Sequence, residues 1–303
     1  MQKSYFVIHN HIAPVLTFYA INDIVLNVKK IKRYIPPKKR VNRDRAYTHE
    51  EIHSLLDISD ERMRAVILLL ASSGLRIGAV PLLKIRNLEK VNIAYCHGYD
   101  QHIYKITVYE NEQEECCSYC TPECTKALDA YLDMRSRYGE KLNRDSFLIR
   151  AQFDVRDPFA IRNPISTPLK ENSLTYKIRD IAIRAGINSR EKLDIGTPRG
   201  SIRKEVPIAH GFRKFFSSQL VESDLKTELR WLLEGHNLKG NDPAYVRTTE
   251  KRLQQEYEKA IDNLTIDPAN RLQRKVQIIF QSLQFLLLMI SLLSLQSNAQ
   301  HIL

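Results

Sequence analysis

From Thr48 onward the apolar positions recur at intervals of three and four. Ile52, Leu55 and Leu56 follow Thr48 and Glu51, a pair spaced as a capping box, so a helix is predicted to start there. A second helix is predicted from about Asp60, with Met63, Val66, Ile67 and Leu70 on one face. It stops at Gly74, a residue suited to the left-handed position past a helix end. Between Val91 and Tyr119 the period shortens to two. Ile103, Lys105, Thr107 and Tyr109 alternate with Tyr104, Ile106 and Val108, Asn111 suits a turn, and Cys116 to Tyr119 reads as the returning strand. Thr121, Pro122 and Glu123 then open another helix, carried on by Leu128, Tyr131, Leu132 and Arg135 and closed by Gly139. Further helices are predicted from Ser173 to Gly186, His210 to Val221, Leu225 to Glu234 and Thr249 to Leu264. The pattern describes a mainly α domain with a small antiparallel β-sheet, an α+β arrangement.

The two ends read differently. Residues 1–45 leave room for one or two helices between Asn10 and Tyr34. A basic linker follows, in which Lys38, Lys39, Arg40 and Arg43 come after Pro36 and Pro37. On charge alone this linker is equally a solvated tether or a DNA contact. Residues 46–268 form the main domain and residues 269–303 an apolar tail. From Val276 to Leu303 there is no Lys, Arg, Asp or Glu, and Phe285 to Ile290 is wholly apolar. Gln277, Gln281, Ser282, Gln284, Ser291 and Ser294 interrupt the wider segment. A helix packed on its own domain or a partner's is therefore expected, rather than a membrane span of about 20 apolar residues.

Composition adds one directional fact. The chain of 303 residues carries a formal net charge of +11, which suggests a polyanionic partner, because Lys and Arg that neutralise phosphates release condensed counterions. Charge alone does not separate DNA from RNA or an anionic membrane. The opening residues lack a basic stretch followed by an apolar run, and five cysteines is an odd number, so a reduced, cytoplasmic setting is expected. Cys117, Cys120 and Cys124, with Cys116 or Cys96, could supply metal ligands. Zinc sites usually pair two knuckles from separate segments, so buried thiols are the default and no metal is expected.

Four short segments carry chemistry together: Ser73-Gly74-Leu75-Arg76, His210-Gly211-Phe212-Arg213, Leu233-Glu234-Gly235-His236, and Tyr245 nine residues after His236. Breaking a phosphodiester without metal or water needs a nucleophile, cations for the developing charge and a proton for the leaving oxygen. Tyrosine can serve as the first. Arginine forks match non-bridging oxygens, and histidine moves protons near neutral pH. His210 and Arg213 are three apart on a predicted helix and so share a face. Each segment alone has an ordinary structural explanation; their order and intervals together are specific.

These segments, extended to Ser72–Gly78 and His210–Phe215, resemble the motif boxes of the tyrosine recombinases, the phage-integrase family. The stretch from Tyr245 to Ile266 is similar to archaeal members, and the resemblance covers about Arg45 to Asp267. It implies the tyrosine recombinase catalytic-domain fold and a site-specific recombinase or integrase that moves a mobile element. By it, Arg76 and Arg213 would bind the scissile phosphate and His210 and His236 would donate hydrogen bonds or manage protons. Tyr245 would attack, leaving a 3′-phosphotyrosyl bond. Lys38, Lys39, Arg40, Arg43 and Lys214 would contact double-stranded DNA in a nucleoid-associated homotetramer on paired sites, with no cofactor.

Two departures stand out. The family usually carries a Lys in the hairpin turn, as a proton donor and minor-groove contact, whereas this turn reads Glu110-Asn111-Glu112-Gln113-Glu114-Glu115, with Gln113 at the expected Lys; Lys105, the nearest basic residue on the strand, is the candidate general acid in its place. The N-terminal part is also short for a DNA-clamping domain. Both features define the rival reading, a catalytically decayed or truncated integrase-like DNA-binding protein.

Overall fold

The computed structural model describes residues 5–37, 44–93, 102–151, 167–187, 205–236, 249–276, 279–280 and 283–284. Its contacts divide the chain into two compact units, Met1–Asp44 and Arg45–Leu303. In the first, helix α1 (Tyr5–Ile21) contains no Lys, Arg, Asp or Glu and runs on through Pro14. Helix α2 (Val28–Lys32) is capped by Asn27, whose side chain accepts from the Lys30 amide at 2.9 Å. The basic positions Lys38, Lys39, Arg40 and Arg43 lie outside the described residues.

The second unit is built around one helix. Helix α3 (His49–Asp57) begins with the predicted capping box: the Thr48 hydroxyl accepts from the Glu51 amide, and the Glu51 carboxylate accepts from the Thr48 amide. Such a cap is worth about 1 kcal/mol. Helix α4 (Glu61–Ser73) starts at Asp60, which accepts from the Met63 amide at 2.7 Å, and ends at Gly74 with φ +64°. It is buried almost all round, as expected for a helix that neighbours cover on several sides.

The sheet pairs β1 (Leu88–Asn92), β2 (His102–Val108) and β3 (Cys116–Tyr119) in that order, all antiparallel, with Lys105 opposite both Glu89 and Tyr119 and Val108 opposite Cys116. The predicted alternation holds in its geometry, but burial does not alternate cleanly: Ile103 and Tyr104 are both buried. The reason is that α5 (Pro122–Arg137) packs against β2 and Asp129 of α5 accepts the Tyr104 hydroxyl at 2.5 Å, while Lys105 and Tyr119 reach residues of a later helix. Thr121 caps α5 with Pro122 in the first turn, as predicted.

Inside α5, Arg135 has no exposed surface and pairs with Glu140 through both ends of its fork, at 2.9 and 2.7 Å. Arg150 meets the same carboxylate at 2.8 Å. A buried carboxylate between two guanidinium groups keeps its charge: burial alone would raise the Glu140 pKa, but the hydrogen bonds from Arg135 and Arg150 outweigh it and hold it below the usual range.

Helix α6 (Glu171–Arg184) starts two residues earlier than the sequence suggested, with Glu171 in its first turn. Helices α7 (His210–Glu222), α8 (Thr227–Leu233) and α9 (Glu250–Leu264) follow. The start of α8 is later than predicted, because the end of α7 closes through Asp224, with φ +55°, and Leu225, whose amide donates to the Leu220 carbonyl at 3.2 Å. Central α4 packs on α5 and α7, and α9 packs on α7. Residues 268–276 are helical again, entered where Glu123 accepts from the Ile266 and Asp267 amides at 2.8 and 3.1 Å. Among the described residues, no helix is long and apolar enough to cross a membrane. Most of the tail, 285–303, lies outside them.

Candidate active site

Three helix ends meet at one place. The first is the end of α4. Gly74 turns the chain left-handed, and a Cβ built there would stand 2.2 Å from Cδ1 of Phe216 on α7, so only glycine fits both the backbone and the contact. This turn delivers Arg76, which is exposed. The second is the start of α7. Gly211 lies against the Tyr47 ring, which stacks on Phe212 with centroids 4.5 Å apart and donates its hydroxyl to the Ile208 carbonyl at 3.1 Å. His210 and Arg213 occupy the first turn thus fixed. The third is the end of α8, where Gly235 has φ +64° and the His236 amide closes the turn on the Trp231 carbonyl at 2.9 Å.

Arg213 joins all three. Its Nη1 donates to the Gly74 carbonyl at 2.8 Å, and its Nη2 donates to the Glu234 carbonyl and lies 3.1 Å from His236 Nε2. His236 Nδ1 is 3.1 Å from the Glu234 carboxylate. Nδ1–H therefore donates to Glu234 in the matching tautomer, leaving Nε2 to accept from Arg213. A guanidinium has five N–H bonds. Among the described residues, these contacts use three of the five N–H bonds of Arg213. Burial pulls the Arg213 pKa below its ordinary value; Glu234 opposes this and Arg76 adds to it, so two cations share one field. The same field reaches Cys116 and Tyr109 at the mouth of the hairpin, where burial raises both pKa values and Arg76 lowers them. A Cβ on Gly235 would lie 2.8 Å from Cys116 Sγ, so the start of β3 abuts the His236 turn directly.

Arg76, Arg213 and His236 thus converge, with His210 one turn before Arg213. Lys214 follows Arg213, half-buried. Lys105 sits on β2, 2.6 Å from Glu250 and 3.4 Å from Glu89. Tyr245 lies outside the described residues. Tyr257 is fully buried and donates its hydroxyl to the Ser72 carbonyl at 2.8 Å, a packing role. Sequence reasoning gave no active-site role to Glu234, Cys116 or Tyr109, reading Cys116 as a strand start and candidate metal ligand and Tyr109 as part of the strand alternation. Glu234 stood in one of the motif segments, as the residue before Gly235-His236. Cys120 and Cys124 are buried thiols, and among the described residues no three His, Cys, Asp or Glu groups converge as a metal site.

No family model matches the chain, and no curated relative matches it. Solved structures do. The Tn1549 transposon integrase, as a Tyr-to-Phe variant in complex with transposon right-end DNA, superposes with TM-score 0.51 over 84% of this chain and 79% of that one, at 15% identity. The integrase of mycobacterium phage Brujita gives 0.48 over 86% and 72%, at 16% identity. The XerA recombinase gives 0.44 over 79% and 70%, at 21% identity. At these identities the likeness concerns the fold, which is that of the tyrosine recombinase catalytic domain.

Proposed function

We propose that the chain is a site-specific DNA recombinase that cleaves and rejoins double-stranded DNA through a 3′-phosphotyrosyl intermediate, in the integration or excision of a mobile element. The observation that carries this reading is Arg213, pinned by two backbone carbonyls and His236 beside Arg76. Two preorganised guanidinium groups can hold the non-bridging oxygens of one phosphate and stabilise the charge that grows on them. The Tyr245 hydroxyl gives up its proton to solvent or a histidine as its oxygen attacks phosphorus, the bond to the 5′-oxygen breaks, and that oxygen takes up a proton to leave as a hydroxyl. Attack by a 5′-hydroxyl reverses the step with no net loss of phosphodiester bonds, so neither a metal nor a nucleotide is required. His236, oriented by Glu234, hydrogen-bonds the phosphate or passes the proton. A basic chain suits the DNA partner, and paired half-sites would be held by a homotetramer.

The test is covalent capture. The full chain is incubated with a random-sequence pool of nicked duplexes, protein–DNA adducts are isolated under denaturing conditions, and the adducted residue is mapped by mass spectrometry. An adduct on Tyr245 that is lost in Tyr245→Phe is expected. The acidic turn around Gln113 favours the second reading, a decayed DNA-binding protein. Tight binding without any adduct would establish it over the first.

A further inference from the structure

Lys105 was the nearest basic residue to the missing hairpin lysine, and its surroundings assign it other work. Its Nζ is 2.6 Å from Glu250 Oε2 and 3.4 Å from Glu89 Oε2, with the side chain only 13% exposed. Glu250 is the first residue of α9. Its backbone carbonyl accepts the hydroxyl of Tyr119 at 3.2 Å, and Tyr119 is the cross-strand partner of Lys105. Two adjacent strands therefore grip one residue, one through its carboxylate and the other through its main chain. Thr249, immediately before it, caps the helix. The first turn of α9 is thereby clamped to the face of β2 and β3 that carries Lys105 and Tyr119.

Glu250 stands five residues after Tyr245, so the chain between them spans at most about 18 Å. We propose that Lys105 and Glu250 form a positioning pair that fixes the point from which the Tyr245 segment departs, and that Lys105 is not the proton donor to the leaving oxygen. The proposal rests on the reading of Tyr245 as the nucleophile. Two features support it. Burial alone would lower the Lys105 pKa, yet Glu250 and Glu89 outweigh burial and raise it, which makes the ammonium a poorer acid near neutral pH. Glu250 is 71% exposed, and ion pairs open to water on one side add little to global stability. The clamp is therefore better suited to setting geometry than to holding the fold.

The experiment compares two captured substrates, one with the ordinary 5′-oxygen leaving group and one with a 5′-bridging sulfur, which leaves without needing a proton. The wild-type chain must first form an adduct that Tyr245→Phe abolishes. No adduct on either substrate would remove the recombinase reading, and this proposal with it. Given the adduct, Lys105→Met and Glu250→Gln are each expected to slow its formation about tenfold to a hundredfold on both substrates, the size of loss a misplaced reacting group produces. The double variant should be no slower than the slower single one, because both break the same contact. Lys105→Arg should keep near wild-type rates, since arginine can hold Glu250 but is too weak an acid to replace a donor. The proposal is overturned if sulfur restores Lys105→Met to the wild-type rate, if Glu250→Gln cleaves normally, or if Lys105→Arg is as slow as Lys105→Met.

Discussion

The Arg213 guanidinium donates to the main-chain carbonyl of Gly74 at 2.8 Å, so the first turn of α7 and the last of α4 are tied through the same group that would face a phosphate. Positioning and charge stabilisation reside in one side chain. Lysine at this position keeps the charge but has no planar fork to serve Gly74, Glu234 and His236 together. Arg213→Lys is therefore expected to lower adduct formation by about a hundredfold or more, the usual loss on removing one preorganised donor. Its resistance to urea should also fall, by about 1–3 kcal/mol, because two inward carbonyls lose their partner. A variant that cleaves at near wild-type rate would remove Arg213 from the site.

The two left-handed glycines of the site, Gly74 and Gly235, make separable demands. At Gly74 an added methyl group overlaps the Phe216 ring, so Gly74→Ala should destabilise the protein by about 3 kcal/mol or more, from strain and overpacking together. At Gly235 the obstacle is Cys116 Sγ, at 2.8 Å. Removing the sulfur in Gly235→Ala/Cys116→Ala should recover part of the loss in Gly235→Ala but leave the cost of a positive φ, about 1 kcal/mol. Strict additivity of the two substitutions in denaturant titrations would mean that β3 does not abut the His236 turn.

What the sequence revealed was local. Thr48, Asp60, Thr121 and Thr249 cap helices within their own first turns, and a residue's type is enough to show it. Gly74 announced a helix end because few residues tolerate the backbone it needs. What stayed hidden was made by main-chain atoms or by distant partners. Arg213 reaches a carbonyl 139 positions away, and a carbonyl has no letter in the sequence. Lys105 and Glu250 are 145 apart and meet only because β2 lies beside the start of α9. From its letter and position Lys105 looked like a spare acid, and only its neighbours show that it is clamped. The irregular burial of Ile103 and Tyr104 was equally unreadable, because alternation tells which residues share a face and not how many elements cover it.

A pH response is built in next to the site's scaffold. The His49 ring stands edge-on to Phe215, centroids 4.9 Å apart, and its Nε2–H donates to the Asn263 carbonyl at 2.7 Å. Burial lowers its pKa below the ordinary 6.5, with Arg271 assisting and Asn263 and Glu50 opposing. The folded state therefore takes up the proton less readily than the unfolded one. The contribution of His49 to stability is complete above about pH 6.5 and is lost as the pH falls from there through the folded value. Urea midpoints should decline from about pH 7 to about pH 5, and His49→Gln, which can still donate to Asn263, should flatten that decline. An unchanged slope in the variant would assign the decline to other groups.

The hairpin turn offers a gain-of-function test. Glu112 donates its amide to the Tyr109 carbonyl at 2.9 Å, Glu115 to the Glu112 carbonyl at 3.1 Å, and the Asn111 amide donates to the Glu115 carboxylate at 2.7 Å. The turn is thus closed by its own main chain, and Gln113 is exposed at its tip without shaping it. Replacing Gln113 should therefore leave stability within about 0.5 kcal/mol. If the reaction is short of a proton donor, Gln113→Lys supplies one where the family resemblance places it, and it also offsets one of the four glutamates of the turn. Adduct formation on the oxygen-leaving substrate should rise, toward the roughly hundredfold that a positioned acid contributes. On the sulfur-leaving substrate, which needs no proton, the same variant should show little change. Equal acceleration on both would mean that the lysine acts by attracting DNA, and lower salt would then enlarge the effect. No acceleration on either would mean that a proton donor is already in place and that the acidic turn is no impediment to cleavage.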